Sequence, residues 1–112
     1  MITLQKIDFP ADCVVISHEF YDYDPASAYN VADSIQYLSE DMLQCRFPKE
    51  EVLIDLGWYG DPTTNKGEYR IHVIKHENWE VPFNVIYSKS TPEALELLGN
   101  ILLYFKKVDL DD

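Results

Sequence analysis

The chain has 112 residues, with twenty acids against nine Lys and Arg and a formal net charge of −11. At 46% hydrophobic residues it is too apolar for a disordered chain, and its length suits a single domain, residues 1–112, whose core needs no metal or disulfide staple. A field of that sign repels phosphate backbones, which argues against nucleic-acid binding, and no run approaches the roughly 18 apolar residues of a membrane span.

The imbalance is uneven. Residues 1–45 hold eight acids and one base, Lys6, for a net −7, and residues 46–112 hold twelve acids and eight bases, for a net −4. Such a field steers a basic protein inward, although solubility is the commoner use of an acidic surface. The opening MITLQKIDFPADCVV lacks a basic region followed by a long apolar core. No signal peptide is therefore expected, and the expected compartment is the cytoplasm. Cys13 and Cys45 are then expected as reduced, small core residues.

In chain order, Ile2–Phe9 reads as a short strand or an extended arm, broken by Pro10. Cys13–Phe20 is an apolar, β-branched run of strand length. Tyr21–Pro25 (YDYDP) is a loop, and Asp24 before Pro25 reads as a helix start, an acidic cap followed by a residue suited to the first helical position. Ala28, Val31, Ile35, Leu38, Met42 and Cys45 then fall at spacings of three and four. This predicts a helix over Pro25–Gln44, with Asn30, Asp33, Ser34, Glu40 and Asp41 on its outer side and Pro48 preventing continuation.

Val52–Ser88 shows a period of two in three runs. Val52, Ile54, Leu56 and Trp58 share one face of the first. Tyr69, Ile71 and Val73 share one face of the second. Trp79, Val81, Phe83, Val85 and Tyr87 share one face of the third. The turn-rich Gly60–Gly67 separates the first two, and the short Lys75–Asn78 separates the next pair. The pattern predicts an antiparallel meander with one covered face that includes Trp58 and Trp79. Pro82 makes the third strand an edge. Thr91–Pro92–Glu93 predicts a second helix, capped by Thr91, with Ala94, Leu95, Leu98, Ile101, Leu102 and Phe105 on its apolar face. Gly99 inside it is expected to pack closely on the sheet, and Asp109–Asp112 reads as an acidic tail. The fold class is α+β: a two-layer sandwich of a mainly antiparallel sheet, with a central three-stranded meander, covered by two helices.

No catalytic motif stands out. His72 and His76, four apart on a strand, share a face but lie about 13 Å from each other, too far to hold one zinc. Both cysteines sit in apolar contexts, and Arg46 next to Cys45 is expected to point away from it, so neither has the cationic partner that a reactive thiolate needs. The glycines match neither a P-loop nor a dinucleotide fingerprint. No enzyme, cofactor or metal is therefore expected, although Asp55, Arg70 and His72 on the open sheet face would be the place for a small active site. The Tyr21–Asp24 segment has two readings. Alternating Tyr and Asp suits a protein-binding surface, and a capping loop with its tyrosines under the core is equally compatible.

The runs IDLGWYGD (Ile54–Asp61), GEYRIHVI (Gly67–Ile74), NWEVPF (Asn78–Phe83) and STPEAL (Ser90–Leu95) resemble small bacterial toxin-immunity proteins, particularly those of contact-dependent growth inhibition systems. The resemblance covers roughly residues 52–105 and rests on structural motifs. It implies an acidic, single-domain cytoplasmic protein that binds and blocks a cognate toxin domain, commonly a nuclease. A monomer in the complex, or a weak homo-oligomer, is expected. The expected partner-binding residues are Tyr21, Asp22, Tyr23, Asp24, Asp33, Glu40, Asp41, Tyr59 and Asp61. A general interaction domain that pairs through the edge of the third strand is the alternative.

Overall fold

A computed structural model describes residues 1–111, with side chains to Lys107. Strand β1 spans Val14–His18, helix α1 Val31–Tyr37, β2 Leu43–Phe47, β3 Val52–Asp61, β4 Lys66–Lys75, β5 Asn84–Ser88, and helix α2 Thr91–Asp111, with a 3-10 turn at Pro48–Glu50 between β2 and β3. The strands form one antiparallel sheet in the order β1-β2-β3-β4-β5, so each strand lies beside the next in sequence. The fold is α+β, as the alternation and the two helical patterns predict. No helix among the described residues is long and apolar enough to cross a membrane.

The central hairpin is the longest pairing, running from Val52 opposite Lys75 to Asp61 opposite Lys66. Val52, Ile54, Leu56 and Trp58 of β3 and Tyr69, Ile71 and Val73 of β4 are buried on one face. Ala94, Leu98, Leu102 and Phe105 of α2 are buried against that face, with the Phe105 ring 5.5 Å from that of Phe47. The N-terminal segment is an extended arm. It bridges Leu4 to Tyr21 and packs Ile2, Ile7 and Phe9 against the same core.

The long first helix is corrected. Only Val31–Tyr37 is helical, and Met42–Cys45, the end of the expected stripe, leads into and forms part of β2. Asn30 is the cap, its side-chain oxygen accepting from the Asp33 N–H. Asp24 instead closes a turn, accepting from the Ala26 N–H and the Ser27 hydroxyl. Leu43, Cys45 and Phe47 also alternate, and they stand opposite Leu56, Ile54 and Val52. Pairing them satisfies the second edge of β3, and it buries all three side chains. That combination outweighs a weak helical preference. Ile35, placed in the core stripe by the helical reading, is 59% exposed.

The third run is corrected in phase. Consecutive left-handed residues at His76 (φ 55°) and Glu77 (φ 59°) turn the chain out of β4, and β5 begins only at Asn84. Trp79, Val81 and Phe83 lie in this connection and are exposed. Within β5, Ile86 faces Ile71 while Tyr87 pairs with Arg70, so the covered face takes the opposite alternation from the one expected. Trp58 does join the core. β5 is an edge strand, although Pro82 lies before it.

At α2, Ser90 is the residue that caps: its hydroxyl accepts from the Glu93 N–H at 3.1 Å. Thr91, expected in that role, is buried and bonds elsewhere. Gly99 is exposed, and a Cβ added there would meet nothing within 4 Å, so no close packing explains it. The helix runs through Asp109–Asp111, the start of the expected tail, and Asp112 lies outside the described residues.

Candidate functional site

The sheet face opposite α2 carries the alternate residues of β3 and β4. Across three strands, Gln44, Asp55 and His72 stand in one register row. Gln44 Nε2 donates to Asp55 Oδ2 at 2.6 Å. Asp55 is only 4% exposed, and burial pushes its carboxyl above the ordinary range, with Gln44 and His72 opposing and Asp41 adding. His72 Nδ1 is buried and has no hydrogen-bond partner among the described residues.

One step along the strands, the Arg70 guanidinium lies 4.8 Å from the Tyr59 ring centre and 5.8 Å from that of Tyr87. Its Nε donates to Glu68 Oε2 at 3.2 Å. The Tyr59 ring meets that of His72 edge-on at 5.7 Å. Stacking and the ion pair hold Arg70 against the sheet.

Gly57, between Asp55 and Tyr59, shows why this face is acidic. A Cβ at Gly57 would stand 2.1 Å from the Glu40 carbonyl oxygen. The chain crosses the face here, tied on either side by Trp58 N–H to Ser39 O and Met42 N–H to Leu56 O. Glu40 and Asp41 are thereby exposed within electrostatic reach of Tyr59. Burial pushes the Tyr59 phenol up. Asp55, Glu40 and Asp41 add to the shift, and Arg70 opposes it.

Beyond the row of Gln44, Asp55 and His72 lies a groove of about 1070 Å³ with a mixed lining: Val14 and Ile16 of β1, Leu53 and Trp79 are joined by Arg46, Glu51, His76 and Glu77, and Gln44 leads back to the acidic half. Ile16 occupies a bulge between the paired positions Val15 and Ser17.

Of the expected partner-binding residues, Glu40, Asp41 and Tyr59 come together on this face. Asp61 caps the turn after β3, where hydrogen bonds from the Thr63 hydroxyl and N–H hold its carboxyl below the ordinary value. The Tyr21–Asp24 segment serves the fold. Tyr21 packs its ring 5.0 Å from that of Tyr37. Asp22 accepts from the Thr3 N–H and hydroxyl, which lowers its carboxyl and anchors the N-terminal arm. Tyr23 is 4% exposed, with its hydroxyl bonded to Ser34 Oγ, the Asn30 carbonyl and the Asn30 N–H. Asp24 Oδ1 also accepts from the Thr91 N–H, 67 residues away. Asp33 lies in the first turn of α1, apart from the acidic cluster.

Gln44, Tyr87, Val14, Ile16 and Trp79 are members of this face that the sequence reading did not select. The alternation of Asp55 and Tyr59 against Arg70 and His72 was the available signal, but Gln44 was hidden by its assignment to a helix. His76 does not stand in the row with His72: it sits on the turn after β4, pairs with Glu51, and both line the groove. Among the described residues no group of three or more His, Cys, Asp or Glu is placed to hold a metal ion. In comparison with known proteins, no family model, no curated sequence and no solved structure matches this chain.

Proposed function

We propose that this chain is an immunity protein, acting in the cytoplasm, that binds a cognate basic toxin domain of the nuclease kind and occludes its active site. The observation that carries the reading is the meeting of the exposed Glu40 and Asp41 beside Tyr59 on an open sheet face, in a chain of net charge −11. A nuclease presents a basic groove to phosphates, and an acidic face competes for that groove and accelerates association. Tyr59 and Tyr87 offer rigid contact area at low entropic cost, and Val14, Ile16, Leu53 and Trp79 in the mixed groove add apolar surface for a partner to cover. Neutralisation by occlusion asks for no catalytic group.

The experiment is co-expression with the C-terminal domain encoded by the neighbouring upstream gene. Cell rescue and a co-purifying complex whose association slows with salt are the expected results. Glu40→Lys with Asp41→Lys should slow association and flatten its salt dependence while leaving the fold intact. Charge reversal at Asp22 or Asp24 would disturb the arm or the Thr91 contact as well, so it is the poorer probe. No rescue and no complex at low salt would remove the immunity reading.

A further inference from the structure

Cys13 and Cys45, far apart in sequence, meet in the fold. Val15 stands directly opposite Cys45 in the β1–β2 ladder, and Cys13, two residues earlier, shares its face on the diagonal. The two thiols hydrogen-bond each other, and neither is in a disulfide. Cys45 is fully buried and Cys13 half-buried, so an oxidant reaches Cys13 first. The Cys13 contact, reinforced by burial, drives the Cys45 thiol strongly upward.

We infer that Cys13 and Cys45 form a reversible intramolecular disulfide on exposure to a peroxide, Cys13 being the attacked thiol and Cys45 the resolving one. In the first step the Cys13 thiolate takes one oxygen from the peroxide, giving a sulfenic acid and, from hydrogen peroxide, hydroxide. In the second step the Cys45 sulfur attacks the Cys13 sulfur. The S–S bond forms, the S–O bond breaks, and the leaving hydroxyl takes the Cys45 proton as water. Two thiols lose two electrons and two protons, and one peroxide becomes two waters. Diagonal strand neighbours, about 7–8 Å apart, lie beyond the usual disulfide span, so the backbone of one strand must move for the bond to form. β1 is the element placed to do so: it is an edge strand with one partner and a bulge at Ile16. The bond would tie β1, and with it Val14 and Ile16 of the open-face groove, to β2.

The test treats the intact, folded protein with hydrogen peroxide, then alkylates it under denaturing conditions and weighs it. The expected product is a monomer lighter by two hydrogens that takes no alkyl group. Proteolysis should yield one linked pair of peptides containing Cys13 and Cys45, separated by a phosphine. With Cys45→Ser, Cys13 should stop at a sulfenic acid that dimedone traps. With Cys13→Ser, Cys45 should resist oxidation while the protein is folded. Full alkylation of both cysteines after peroxide, disulfide-linked dimers, or a sulfinic acid on Cys13 with Cys45 still a thiol would each overturn the inference.

Discussion

The Tyr69 hydroxyl donates to Thr91 Oγ1 at 2.6 Å inside the core, and Thr91 Oγ1 donates in turn to the Tyr23 carbonyl at 2.7 Å. This chain of bonds ties β4, the start of α2 and the loop before α1 at one buried point. Burial pushes the Tyr69 phenol upward, so it stays a donor at any ordinary pH. Thr91→Val keeps the shape but leaves the Tyr69 donor and the Tyr23 acceptor unpaired. The expected loss is about 1–3 kcal/mol in urea denaturation. Thr91→Ser keeps the bonds and should lose less. A larger loss in Thr91→Ser than in Thr91→Val would show that the methyl, not the hydroxyl, carries the site.

Gly99 is solvent-exposed within α2, in open space and with no left-handed backbone to require it. Gly99→Ala should therefore raise stability by about 0.5–1 kcal/mol, since alanine loses less backbone entropy on entering a helix. Denaturant midpoints of the two proteins check this. An unchanged or lower midpoint would assign the glycine a role that the helix geometry does not supply.

Gly57 is the opposite case. The Glu40 carbonyl occupies the space where a Cβ would go, and backbone cannot swing aside as a side chain does. Gly57→Ala should cost about 1–3 kcal/mol or more. It should also displace Glu40 and Asp41 from Tyr59, visible as changed amide shifts over residues 39–42. A variant with wild-type stability and unmoved shifts would contradict the crossing of the chain at this position.

Burial raises the Asp55 carboxyl above its ordinary value of 3.8, so the folded state holds the proton more tightly than the unfolded chain does. Stability from this group is complete below the unfolded value and is lost as pH rises through the folded one. Asp55→Asn keeps an acceptor for Gln44 Nε2 and never ionises. Relative to wild type, its stability should therefore rise between about pH 3 and pH 7. Urea denaturation across that range measures the gap. A gap that stays constant, or that narrows toward neutral pH, would mean that the ionised carboxylate is well accommodated.

Local patterns decided much of this protein. The alternation in Val52–Trp58 and Tyr69–Val73 fixed the central hairpin and its buried face, and the apolar stripe from Ala94 to Phe105 fixed α2 as the helix that covers it. The charge is likewise a property of composition. Each of these signals is strong over a length that one element spans, so no distant contact was needed to read it.

Long-range pairing decided the rest. Met42 and Cys45 fit a helical stripe as well as a strand, and only the bare edge of β3 chose between them. Trp79 continues an alternation that the turn at His76 and Glu77 cuts off. Tyr23 points inward because Ser34, Asn30 and Thr91 are there to receive its hydroxyl and carbonyl. The meeting of Glu40 and Asp41 with Tyr59, and of Cys13 with Cys45, depends on which backbone crosses which strand. Charge, periodicity and caps act within a few residues of chain and can be read along it, whereas competing pairings are settled by which arrangement satisfies the most backbone and buries the most apolar surface, and that is a property of the whole fold.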